Sequence, residues 1–187
     1  MQKMNLLANI DNSVDENVIG RIGGNIPDYF TDKLSEIEGL KFYTTFQHPE
    51  KSTYISIFVP EQYDTLVDHN IYPDCSVKVF VHPNTDESNN ENYTINYIKK
   101  SKIIGYKQSC VDEFGFITKS EKPNLIQDEE YYYEGLEQDG YEFLLQVDED
   151  FYPDDLIDGD YIFGYGALYL YKNKNDESIV AGFWQYS

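Results

Sequence analysis

Apolar and polar residues alternate with a period of two along much of this chain, and that pattern predicts its strands. "STYISIFVP" (52–60) reads as a strand ended by Pro60, and "CSVKVFVHP" (75–83) as another closed by Pro83. "YTINYI" and "SKIIGYKQS", on either side of Lys99-Lys100, read as a strand pair. "YEFLLQVD" (141–148), "YIFGYGALYLY" (161–171) and "SIVAGFWQYS" (178–187) are three more, the last two joined through "KNKNDE" as a hairpin. Helical spacing is confined to two places. "IPDYFTDKLSEIEGL" carries Phe30, Leu34 and Ile37 and stops at Gly39, and "EQYDTLVDHN" sets Tyr63, Leu66 and Val67 on one face. "NTDESNNEN" (84–92) is polar throughout and reads as a loop. The expected fold is α+β, a mostly antiparallel sheet with a few short helices.

An approximate repeat runs through these elements. "GLKFYTTFQH" (39–48) parallels "DGYEFLLQVD" (139–148), each an aromatic segment holding a Gln near its end, Gln47 and Gln146. Pro27 and Pro123 lie upstream; "IYPD" and "FYPD" lie downstream, each ahead of a strand. The spacings differ, but the pattern points to an internal duplication with similar halves, 1–100 and 101–187.

With 187 residues the chain suits one domain, and it is large enough to fold without disulfide or metal. Cys75 and Cys110 make no disulfide framework and read as free thiols of a reducing cytosol. No signal peptide or membrane-length apolar run is present in the sequence, so a soluble cytoplasmic protein is expected. The formal net charge of −20 changes the picture most. A field of that sign repels phosphate backbones and anionic lipid, which argues against nucleic acid and membrane as partners. It attracts cations and basic proteins.

The charge is concentrated in "QDEEYYYEGLEQDGYEFLLQVDEDFYPDDLIDGD" (127–160), where fourteen acidic residues occur without a Lys, Arg or His. As a calcium loop starting at Asp154 it fails, because ligand position 3 is Leu156 and position 12 is Tyr165. An irregular cation site from Asp148, Asp150, Asp154 and Asp158 stays open. Catalytic chemistry is not legible. Paired carboxylates are unavoidable among 34 acids, and no nucleophile elbow occurs. His48, His69 and His82 are scattered, and the glycines of "FGYGAL" and "IGRIGGN" match no phosphate loop. Nine of the 18 tyrosines fall between Tyr131 and Tyr171, interleaved with acids. Such a surface suits Lys and Arg, combining charge pairing with aromatic contact. The structural alternative is a set of half-buried strand residues whose hydroxyls reach water.

The phrases "RIGGNIP" (Arg21–Pro27), "PNLIQ" (Pro123–Gln127), "FLLQVDED" (Phe143–Asp150), "GDYIFGYGALYLY" (Gly159–Tyr171) and "FWQYS" (Phe183–Ser187) resemble, in order and spacing, those of the YwqG-like family of bacterial proteins of unknown function. The match lies mainly over 123–187. A second Ile-Gly element, "IIGYKQ", has Tyr106 where a second glycine is expected, and Gln185-Tyr186 departs from the usual ending. The resemblance implies one YwqG-like α+β domain over 1–187 with internal duplication. It carries over no catalytic residue or cofactor. Similar proteins occur among toxin and immunity genes, which implies an interaction role.

Two functions follow as expectations. The first is a non-catalytic immunity-type protein that binds a basic toxin domain through Asp128, Glu129, Glu130, Tyr131, Tyr132, Tyr133, Asp148, Asp150, Tyr152, Asp154, Asp155, Asp158 and Trp184. The second is a small-ligand or cation-binding domain with a pocket between the halves, lined by Gln47 and Gln146. No enzyme is expected, and no cofactor.

Overall fold

The computed structural model describes residues 3–187. Ten strands form a single antiparallel sheet: β1 (Met4–Ile10), β2 (Val18–Ile22), β3 (Leu40–Gln47), β4 (Tyr54–Pro60), β5 (Lys78–His82), β6 (Ser101–Cys110), β7 (Ile117–Lys119), β8 (Tyr141–Asp148), β9 (Ala167–Asn173) and β10 (Ile179–Gln185). Their spatial order is β10-β9-β8-β7-β1-β6-β2-β3-β4-β5. Matching the first five strands to the last five makes this order read the same from either end. β1 lies between β7 and β6, and β6 between β1 and β2, so each half's first strand pairs only with strands of the other half.

The outer strands β5 and β10 come together, and the sheet is nearly a closed barrel. The seam is completed by 70–72, with Ile71 bridging Phe183, Tyr72 N–H donating to Gly182 O at 2.7 Å and Trp184 N–H to Asn70 O at 3.1 Å.

The strands are nearly continuous in apolar residues because both faces are covered. Ile55, Ile57, Leu145, Val147, Leu168 and Leu170 belong to the large interior cluster, with Tyr43, Phe163 and Trp184. Their strand neighbours face outward into two smaller clusters. Phe42 and Phe58 are covered by Phe30 and Ile37, while Tyr169, Tyr171 and Phe183 are covered by Tyr132 and Leu136. A one-residue bulge after Phe42 and another after Phe143 set the same register in both halves, Phe42 opposite Phe58 and Phe143 opposite Tyr171.

The mostly antiparallel architecture with few short helices is as expected, with differences of detail. The expected helix over 26–40 is two 3-10 turns, Asp28–Phe30 and Leu34–Ile37, which tuck in Phe30 and Ile37 without a side-chain cap. α1 (Tyr63–Asp68) buries only Leu66, leaving Tyr63 and Val67 exposed. "YTINYI" is not a strand, because Ile95 and Ile98 are buried from turns and the segment makes only single bridges, Thr94 to Phe42 and Ile98 to Ile157. β6 pairs with β1 and β2 instead. α2 (Glu134–Gln138) falls inside the acidic stretch. Among the described residues no helix is long and apolar enough to cross a membrane.

Candidate functional site

The acidic stretch begins where 123–127 crosses the outer face of β8, β9 and β10. Side chains hold its backbone down. Gln146 Oε1 accepts from Asn124 N–H (2.8 Å), and Tyr169 O–H donates to Asn124 O (2.8 Å). Gln185 Oε1 accepts from Ile126 and Gln127 N–H at 2.9 and 3.1 Å, and its Nε2 donates to Gln127 O at 2.8 Å. The chain then turns through Glu130–Tyr132 into α2, where Tyr132 and Leu136 point into the sheet.

Between this strap, α2 and the β8–β9 face lies a groove of about 760 Å3. Tyr133, Tyr141, Phe143 and Tyr171 form its aromatic wall with Leu125 and Pro123. Tyr141 and Phe143 stand two apart on β8, hence on one face, and Tyr171 is opposite Phe143 with ring centroids 5.8 Å apart. The rim carries Glu121, Asp128, Glu137 and Glu142, against Lys122 and Lys174. Glu142 pairs with Lys172 and Glu121 with Lys3, whereas Asp128 and Glu137, and likewise Lys122 and Lys174, enter no ion pair among the described residues. Burial raises the Tyr171 and Tyr133 phenols, and nearby carboxylates, Glu137 for both, raise them further.

The second part of the stretch is built differently. Asp148 is buried at the end of β8 and accepts from Asp150 N–H at 3.0 Å. Glu149 is buried in turn, its carboxylate accepting from Phe163 N–H (3.0 Å) and Gly166 N–H (3.2 Å). Burial pushes its carboxyl up to about 7 despite these donors. Tyr152 lies over it in the interior, its hydroxyl 2.5 Å from that of Tyr43. The loop 149–166 is thus pinned through a carboxylate. Asp150, Asp154, Asp155 and Asp158 remain on the surface, Asp155 paired with Lys99 at 2.7 Å. Exposed Tyr165 stacks on Tyr161 beside them, with centroids 4.1 Å apart.

Several expected contact residues are therefore placed elsewhere. Tyr132, Asp148, Tyr152 and Trp184 are buried and present no docking surface; Trp184 closes the barrel seam, donating from Nε1 to Leu66 O at 3.1 Å. Asp128, Glu129, Glu130, Tyr131, Asp150, Asp154, Asp155 and Asp158 are exposed, and Tyr133 is half-buried in the groove. Gln47 and Gln146 are not equivalent: the shared bulge aligns Gln146 with Thr45 and Gln47 with Asp148. Gln146 Oε1 is taken by the strap, while its Nε2 is buried without a hydrogen-bond partner among the described residues. Among the described residues no group of three or more His, Cys, Asp or Glu is arranged to hold a metal ion.

His69 Nδ1 lies 2.5 Å from Asp74 Oδ2 in a shallow depression that Cys75 also lines. Burial pushes the Cys75 thiol up to about 11, the reverse of what a nucleophile needs. Sequence reasoning missed Tyr141, Phe143, Tyr171, Glu137 and Glu142, although the spacing of Tyr141 and Phe143 on a strand was the signal. It also missed Glu149, which sequence cannot tell from its exposed neighbours.

No family model matches this chain, and no curated protein sequence matches it.

Proposed function

We propose that this chain is a non-catalytic binding protein that docks a basic protein partner through the acidic face of 128–160. The observation that carries the reading is the groove whose aromatic wall of Tyr133, Tyr141, Phe143 and Tyr171 lies under the unpaired carboxylates of Asp128 and Glu137. The overall charge of −20 steers such a partner toward it. An immunity-type protein that blocks a Lys/Arg-rich toxin surface is the biological role this chemistry fits. It accords with the resemblance to YwqG-like proteins, with two halves descended from one duplication and with free thiols kept reduced in a cytoplasm.

The test is capture of partners at low salt, followed by calorimetry on the purified pair. The reading expects a basic partner whose affinity falls steeply as salt rises, and at least tenfold on Glu137→Lys combined with Asp128→Lys. A partner of like charge, or affinity indifferent to salt, overturns it.

A further inference from the structure

The first half of the sheet already shows a backbone segment, a turn with a single bridge, bonded at the position matching the groove. Phe42 and Phe143 occupy the same place in their halves, each aligned with an aromatic residue on the next strand and each followed by a bulge. Over Phe42 the place is filled. Phe42 N–H donates to Tyr93 O at 2.8 Å, and Thr94 bridges Phe42 in parallel. Tyr93 packs on the cluster of Phe30, Ile37, Phe42 and Phe58, and the Arg21 guanidinium carbon lies 4.7 Å from the centre of the Phe42 ring. The chain thus supplies its own backbone acceptor, from the turn at 92–93, and, from β2, its own cation on an aromatic ring.

Over Phe143 the same place is open. β7 pairs with β8 only at Val147 and Gln146, so the edge from Tyr141 to Leu145 runs on beyond it. Among the described residues no backbone segment outside its own strand pair bonds the Phe143 N–H. What stands there is the groove, where Asp128 and Glu137 enter no ion pair among the described residues and Lys122 and Lys174 also stand on the rim.

We infer that the groove binds an extended segment of the basic partner, paired in parallel with the Phe143 edge as Thr94 is with Phe42, with a Lys or Arg side chain laid on the Phe143 ring beneath Asp128 and Glu137. This is strand addition at a short free edge, with main-chain bonds for affinity and one aromatic-acidic pocket for specificity. It rests on the basic-partner reading and specifies where and how that partner binds.

The probe is a capped hexapeptide, Arg-Asn-Tyr-Thr-Ile-Arg, titrated into the 15N-labelled full chain and followed by amide shifts. The expected result is saturable shifts at Tyr141, Glu142, Phe143 and Tyr171. Replacing both arginines by citrulline, or making the exposed Glu137→Lys variant, is expected to weaken binding at least tenfold. Methylating the peptide's backbone nitrogens is expected to weaken it as well. Equal binding of the N-methylated peptide, or of arginine amide alone, would show a simple cation pocket and overturn the strand pairing. Saturable, salt-sensitive shifts confined to Tyr161, Tyr165 and Phe151 overturn this placement while leaving the basic-partner reading standing. Absence of any saturable shift overturns the inference; the captured partner's own salt dependence then decides the broader reading.

Discussion

The hydroxyls of Tyr43 and Tyr152 meet at 2.5 Å in the barrel interior, although 109 residues separate them in sequence. Burial pushes both phenols well above their usual value, so both keep their protons and one must donate to the other. Tyr152→Phe leaves the buried Tyr43 hydroxyl without its partner, with an expected cost of about 1–3 kcal/mol, whereas Tyr43→Phe leaves Tyr152 its contact with Glu149 and should cost less. The double variant should lose less than the sum of the two. Urea denaturation of the four proteins measures this, and additive losses would show that the hydroxyls are not coupled.

Glu149 makes stability depend on pH in an unusual direction. Burial raises its carboxyl from 4.5 to about 7 in the folded chain. Between those values the folded chain holds a proton that the unfolded chain has released. Its stabilisation is therefore full below about pH 4.5 and is lost as pH rises toward 7, by roughly 3 kcal/mol at most. Asp148, also raised by burial, acts the same way. His48 and His82, lowered chiefly by burial, act oppositely as pH rises to their usual value of 6.5. Comparing the wild type with Glu149→Gln isolates the carboxyl. The variant should gain stability relative to wild type between pH 5 and 7.5, and parallel curves would count against a raised Glu149.

The strap depends on Gln185. Gln185→Leu leaves the Ile126 and Gln127 N–H groups and the Gln127 carbonyl without their partner. The expected loss is about 2–4 kcal/mol. Amide exchange at Ile126 and Gln127 should accelerate far more than at Leu168 or Leu170. Uniform acceleration would mean that the strap does not open locally.

The two thiols should separate cleanly. Cys110 is exposed at the end of β6, whereas Cys75 is buried with its thiol raised to about 11. One thiol per chain is expected to react quickly with a disulfide reagent in the native protein, and mass mapping should place it at Cys110. Rapid reaction at Cys75 would indicate that the depression beside His69 opens.

β4, β5, β8, β9 and β10 were legible because their side chains alternate or run apolar between turn residues. β1, β2 and β7 were not. "MNLLANI" and "VIGRI" are short and broken by polar or glycine residues, and both become strands by pairing with β6, 79 to 106 residues away. The proposed docking surface was legible as a composition and misjudged as a set of residues. A run such as Tyr131-Tyr132-Tyr133 gives no local sign that its middle ring turns into the sheet. Asp148, Glu149 and Asp150 are equally acidic on paper, yet only the first two are buried. The aligned glutamines misled because the bulge, not residue identity, sets which positions correspond.

Each half's first strand is held between strands of the other half, so neither 1–100 nor 101–187 is expected to fold alone. Removing β6 from the first half takes away the only neighbour that links β1 to β2, and removing β1 from the second separates β6 from β7. Expressed alone, each fragment should be largely unstructured, while an equimolar mixture should regain the far-ultraviolet signature of the intact sheet. The molecule behaves as a clasp: two arms with the same pattern, neither holding a shape until each grips the other. Any partner that meets the groove on one arm is therefore reading a surface that the whole chain had to assemble.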